Sequence, residues 1–222
     1  MGAREMALGQ AGVLGSGADE ALLDRCRHGD PQAFARLVAL HERMVLDLAT
    51  RLLGDKEEAK DLSQDVFLQV YKMLGRFEGR SSLKTWIYRI VLNRCRNRLR
   101  FWRRHRWERS HPIDDLLPAD EAKIAATLPG PENPLESLER QEIGARIQAA
   151  LLQLSFEQRA ILLLREADEL SCAQIADTLG VREGTVKSRL SRARKAMQER
   201  VRHFYGPKNV ETHQKGKEVH ES

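Results

Sequence analysis

The stretch Ser171 to Lys195, SCAQIADTLGVREGTVKSRLSRARK, gathers its charge at one end. Arg182, Lys187, Arg189, Arg192, Arg194 and Lys195 are six bases within fourteen residues, and Glu183 is the one acid among them. Such a density of cations pairs with phosphates, while residues in the first turns of a helix can reach base edges in a groove. Thr185 and Ser188 lie in the same short stretch. The alternative is a solvated basic helix of an ordinary bundle. A second basic segment, Arg76 to Arg109, holds twelve Lys and Arg against Glu78 and Glu108, a balance of +10. Within it Arg89, Asn93, Arg96, Arg100 and Arg103 step by four, three, four and three, which aligns them along one helix face. Trp102 and Trp107 sit among these arginines. Aromatic and cationic groups beside a short loop suit unpaired DNA, because bases stack and phosphates pair.

Other chemistries find little support. The chain contains no G-x-x-x-x-G-K-[ST], no H-E-x-x-H and no nucleophile motif, so no enzyme and no cofactor are expected. Cys26, Cys95 and Cys172 are far apart and form no C-x-x-C, so they read as core thiols rather than a disulfide framework. Cys26 and His28 are close, but two potential ligands do not make a metal site. The first residues lack an apolar core of signal-peptide length, and no run approaches the roughly 20 apolar residues of a membrane span. A cytoplasmic protein is expected, without direct membrane insertion.

Positioning these residues requires helices. Of 222 residues, 41% are hydrophobic and 31% charged, which suits a soluble globular chain. The net charge of +5 says little by itself; its distribution says more. Strand patterns are nearly absent. Asp30-Pro31 opens a helix carrying Phe34, Leu37, Val38, Leu40 with His41, Val45 and Leu48. Gly54-Asp55 breaks it, and Asp55 with Glu58 resembles a capping pair for a helix with Leu62, Val66, Val70 and Met73 on one face. The segment GRFEGRSS forms a loop before a long helix towards Arg104, whose core stripe is Leu83, Trp86, Ile87, Ile90, Val91 and Leu99. From Ser110 to Glu142, eight acids face two bases among five prolines, a balance of −6 that reads as a linker. Ser155 with Gln158, and Ser171 with Gln174, form capping-box pairs. Ile175, Ala176 and Leu179, then Gly180, then Val186, Leu190, Ala193 and Met197 outline a helix-turn-helix. The expected fold is all-α, with two small helical domains joined by an acidic, proline-rich linker. Its divisions are a disordered lead 1–18, a first domain 19–109, a flexible linker 110–134, a second domain 135–205 and a polar tail 206–222.

Four segments in order resemble an extracytoplasmic-function sigma factor of the sigma-70 family. AKDLSQDVFLQVYKML is similar to the family's helix for binding core RNA polymerase, and RFEGRSSLKTWIYRIVLNRCRNRLR to its melting and minus-ten segment. LLQLSFEQRAILLLRE echoes the opening of its second domain, and VREGTVKSRLSRARK matches its minus-thirty-five reader. The resemblance implies docking on the polymerase through Asp61, Gln64 and Asp65. It implies minus-ten recognition and melting through Phe77, Arg80, Ser81, Lys84, Trp86, Arg89, Asn93, Arg96 and Arg100, with the loop holding a flipped non-template base. It implies minus-thirty-five contacts from Arg182, Glu183, Thr185, Lys187, Ser188, Arg189 and Arg192. The acidic linker corresponds to the family's connector through the RNA exit path. The implied partners are core RNA polymerase, promoter DNA as duplex and unpaired strand, and an anti-sigma factor. Two positions depart from the family pattern: Glu78 stands where an arginine often follows the loop phenylalanine, and Arg182 where Ser, Thr or Pro often precedes the recognition helix. The competing class is a stand-alone helix-turn-helix regulator, which needs a dimer or effector domain; the N-terminal half shows no βαβ receiver pattern.

Overall fold

The computed structural model describes residues 17–109 and 134–205, and among them every regular element is helical. The N-terminal half holds α1 (Gly17–Arg27), α2 (Pro31–Leu53), α3 (Lys56–Met73), a short 3-10 turn (Leu74–Arg76) and α4 (Leu83–Arg109). The C-terminal half holds α5 (Pro134–Leu152), α6 (Phe156–Leu162) with a π turn (Leu163–Ala167), α7 (Cys172–Leu179) and α8 (Glu183–Tyr205). The segment read as the acidic linker, the first sixteen residues and the tail from 206 lie outside the described residues.

Local chemistry sets the ends. The Asp30 carboxylate accepts from the Gln32 and Ala33 amides at 2.9 and 3.2 Å, and Pro31 takes the first helical position. The Arg25 guanidinium and those amides hold its carboxyl below the usual carboxylate range. Asp55 caps α3 through Glu57 and Glu58 amides, but Glu58 does not close the expected box. Its carboxylate instead binds Arg98 of α4 at 2.6 Å, because a charge-assisted partner is within reach. Both capping boxes of the C-terminal half form as expected, Ser155 with Gln158 and Ser171 with Gln174.

Leu37, Val45, Leu48 and Leu52 of α2 meet Leu62, Val66 and Val70 of α3 and Leu83, Ile87 and Val91 of α4 in one core. Each such side chain contributes roughly 1.5–3 kcal/mol by leaving water. Of the pair Leu40 and His41, His41 is the buried member and Leu40 is 58% exposed. The core continues into the second half through Leu151, Leu154, Phe156, Ile161 and Leu164.

Near the end of α2, three contacts join the halves. Gly54 ends α2 with φ +78, which favours glycine, and a Cβ there would lie 2.6 Å from a Leu152 methyl of α5, so a side chain at this position would also push that methyl aside. Gln148 donates to the Arg51 carbonyl at 3.0 Å. Arg159 of α6 is buried and donates to the carbonyls of Leu151, Leu152 and Leu154 and, across the junction, Leu52. Burial and nearby Arg103 lower its pKa to about 10, so it remains a cation at neutral pH.

Burial also separates the thiols. It pushes the Cys95 thiol up to about 12 and raises that of Cys26, whereas Cys172 is partly exposed. At pH 8 a thiolate population on the order of a thousandfold smaller is expected at Cys95 than at an ordinary cysteine. Titration with a coloured thiol reagent should therefore register Cys172 promptly and the other two only after denaturation. Prompt reaction of all three would contradict this packing. Cys26 and His28 do not converge: Cys26 points into the core and the exposed His28 ring is within 2.9 Å of the Asp24 carbonyl.

Candidate nucleic-acid interface

The helix-turn-helix consists of α7, the turn at Gly180 (φ +65) and α8. Ile175, Ala176, Val186, Leu190 and Ala193 are buried between these helices and α6. With that face occupied, Arg182, Glu183, Lys187, Ser188, Arg189 and Arg192 are left exposed, and Thr185 is partly exposed. Arg182 stands just before α8, and its carbonyl accepts from the Thr185 and Val186 amides at 2.9 and 3.2 Å. Its side chain offers no acceptor for capping, so the guanidinium stays available. Lys187 pairs with Glu183 at 2.9 Å, and that hydrogen bond raises its pKa. Among the described residues Arg192 donates only to the Ser188 carbonyl, at a long 3.3 Å. The free N-terminal end of a helix with outward arginines can enter a major groove.

The second basic surface is divided by its packing. Arg94 and Arg98, two of its twelve bases, turn to α3, where they bind Gln69 at 2.5 Å and Glu58 at 2.6 Å. Arg89 and Arg96 face the C-terminal half. Arg89 donates from Nε and Nη2 to the Asp177 carbonyl at 2.9 and 2.6 Å, where the end of α7 carries partial negative charge. Arg96 lies 5.1 Å from the Phe156 ring centre, with Glu157 at 3.9 Å. Asn93 and Arg100 of the same stripe are exposed, and Lys84 is partly exposed. Trp102 packs against the core instead of standing free among the arginines; the Trp107 side chain lies outside the described residues.

The loop before α4 places Phe77 and Trp86 together, with ring centres 5.1 Å apart. Phe77 is 8% exposed, so its ring anchors the loop rather than offering a free stacking face. Glu78, the departure from the family pattern, pairs with Arg80, and both are exposed. Ser81 is partly exposed, and Ser82 caps α4 by accepting from the Thr85 amide at 3.1 Å.

On α3, Asp61 and Gln64 are exposed and Asp65 is half-exposed, 3.5 Å from Arg98. Periodicity around Leu62, Val66 and Val70 missed what continues this face: Leu68 is 58% and Tyr71 54% exposed, with Tyr71 edge-on to Phe34 at 5.0 Å. Helical spacing from Asp61 and Gln64 could have found them. The pattern also missed Tyr88, fully buried on α4. Asp168 approaches it because the π turn and Glu169, at φ +56, redirect the chain after α6. Burial raises the Asp168 carboxyl, with Tyr88, Lys84 and Arg51 acting the other way, and raises the Tyr88 phenol. The Tyr88 hydroxyl makes no hydrogen bond of good geometry among the described residues.

These surfaces coincide with known regions. Residues 37–108 match sigma-70 region 2, and residues 144–197 match sigma-70, region 4. The RNA polymerase sigma-H factor of Pseudomonas aeruginosa is 35% identical over 182 residues, covering 81% of this chain and 91% of that protein. The ECF RNA polymerase sigma factor SigW of Bacillus subtilis is 30% identical over 185 residues, covering 81% and 95%. Among solved structures, CnrH in complex with the cytosolic domain of CnrY is 25% identical, with TM-score 0.59 over 84% of this chain and 98% of that one. The sigma factor RpoE of Bartonella quintana, in complex with the anti-sigma factor NepR, is 26% identical, with TM-score 0.56 over 76% and 96%. With region 2 on α2–α4, region 4 on α5–α8 and relatives spanning nearly their whole length, the chain belongs to the extracytoplasmic-function RNA polymerase sigma factors of the sigma-70 family.

Proposed function

We propose that three surfaces of this sigma factor divide its work. The exposed face of α3 around Asp61, Gln64 and Asp65 docks on core RNA polymerase. The loop from Phe77 and the outer side of α4 hold and open the minus-ten element. The first turns of α8 read the minus-thirty-five element as duplex. The polymerase supplies the phosphodiester chemistry, and this chain supplies promoter choice and melting. The observation that carries the reading is the two-sided α8, with Val186, Leu190 and Ala193 buried while Arg182, Ser188, Arg189 and Arg192 point outward.

Arg89 and Arg96 are occupied by α7 and α6 in this arrangement. Their role in melting therefore requires α4 to part from the C-terminal half. CnrH is bound by the cytosolic domain of CnrY and RpoE by the anti-sigma factor NepR. A protein partner of that kind, competing with the polymerase, is proposed here too. No helix among the described residues is long and apolar enough to cross a membrane, and a cytoplasmic site of action agrees with a polymerase partner.

Substituting Asp61→Arg together with Asp65→Arg tests the docking face. Both carboxylates lie off the buried Leu62, Val66 and Val70 stripe. The expected result is a fall of about tenfold or more in affinity for core enzyme, as for a desolvated interfacial charge. Circular dichroism should stay unchanged, because a half-exposed ion pair such as Asp65 with Arg98 at 3.5 Å adds little stability. Unchanged affinity would remove α3 from the docking surface.

A further inference from the structure

The end of α1 reaches a loop fifty positions away in sequence. Arg27 donates from Nη2 to the Phe77 carbonyl at 2.7 Å. The Phe77 ring is buried against Trp86, and its amide donates to the Leu74 carbonyl at 3.0 Å. After this residue Glu78, Gly79 and Arg80 are exposed, and nothing lies within 4 Å of where a Gly79 Cβ would stand. The Phe77 carbonyl is therefore the last tethered group before the open part of the loop; Ser82, capping α4, is the next.

Arg27 is itself held in place. One oxygen of Asp30 receives Arg25 at 2.7 and 2.9 Å, while the other caps α2 through Gln32 and Ala33. A single carboxylate thus fixes the turn between α1 and α2, and buried Cys26 seats α1 on the core. The guanidinium arrives at the loop from a braced helix, and its hydrogen bond is charge-assisted.

We infer that Arg27 is a positioning residue for minus-ten recognition: by fixing the Phe77 carbonyl it sets where Glu78 to Ser81 present themselves to the unpaired base, which makes α1 part of the promoter-reading apparatus. The inference rests on the reading of this loop given above. Pre-organisation matters because a mobile loop must be ordered at the moment of binding, at the expense of discrimination.

The test uses full-length protein with core polymerase and the variants Arg27→Ala, Arg27→Lys and Arg80→Ala. Permanganate reactivity of unpaired thymines is measured on four promoters that differ only in the minus-ten base held by the loop. Arg27→Ala is expected to flatten the preference among the four by about tenfold, the worth of one charged hydrogen bond. Core affinity and melting temperature should stay close to those of the parent, and Arg27→Lys should recover most of the preference because its ammonium still donates. The inference is overturned if Arg27→Ala keeps the preference while Arg80→Ala loses it. It is equally overturned if Arg27→Ala weakens core binding and opening in the same proportion on all four promoters, the sign of a merely structural role. If both alanine variants keep the preference, the loop does not read the base and the inference falls with that reading.

Discussion

Arg192→Ala is expected to reduce closed-complex affinity on the correct upstream element by about tenfold, within the roughly 1–3 kcal/mol of a base-edge contact. Asn93→Ala is expected to leave that affinity within about twofold and to slow strand opening instead, since loss of an unpaired-base contact acts after duplex binding. Arg192 is exposed, and its only hydrogen bond among the described residues is the long one to the Ser188 carbonyl, so truncation removes little packing. Asn93 is exposed on α4, whose buried residues Ile87, Ile90 and Val91 are untouched by the change. A reconstituted polymerase separates the effects through filter binding for the closed complex and permanganate footprinting for the open one. The salt dependence adds a second criterion: a lost phosphate contact lowers the slope by about one unit and weakens all promoters alike. A lost base contact spares a scrambled element. Should both variants lose binding and opening in equal proportion, the division of labour between α8 and α4 is wrong, although family membership stands.

Arg159→Leu is expected to destabilise the protein by about 3 kcal/mol, because each buried carbonyl left without a donor costs roughly 1–3 kcal/mol and some regain water. Four carbonyls accept from this guanidinium: Leu151, which also receives the Leu154 amide, Leu152 and Leu154 at the α5–α6 corner, and Leu52 at the end of α2. That loss is a large part of a stability of about 5–15 kcal/mol, and for a chain of this size it corresponds to roughly 6–12 °C in melting temperature. Arg159→Lys should fall between, since a compact ammonium cannot span four acceptors in the plane of a fork. The Leu52 bond crosses between the halves, so unfolding of Arg159→Leu should lose cooperativity, with the N-terminal half melting apart from the C-terminal one. A single transition at the parent temperature would show that this arginine is not what joins them.

Much of the fold was legible because its signals are local. Asp30-Pro31, Ser155 with Gln158, Ser171 with Gln174, and Gly54 and Gly180 mark helix ends by hydrogen bonds and backbone angles that involve only nearby residues. The inner face of α8 followed from its spacing, and the exposure of Arg182, Ser188 and Arg192 followed as its complement. The failures share a cause. Glu58 caps nothing because Arg98, forty positions later, offers a stronger partner. Leu40 turns outward beside the buried His41, and Trp102 sides with the core, because neighbouring helices decide which edge of an amphipathic stripe is covered.

The amino-acid sequence by itself determined the all-helical class, the helix-turn-helix, the two basic segments and, through the order of its motifs, the family. Those follow from the 3.6-residue period, cap chemistry and charge, each set within a few turns of chain. Only the tertiary structure decided how one run of arginines on α4 is spent. Arg94 and Arg98 bind α3, Arg89 and Arg96 meet α7 and α6, and Arg100 remains exposed. It likewise brought Arg27 to Phe77 and Arg159 to Leu52, fifty and more than a hundred positions away. The physical reason is that an arginine's spacing fixes its direction on the helix, whereas its partner is whichever carbonyl or carboxylate packing carries within about 3 Å.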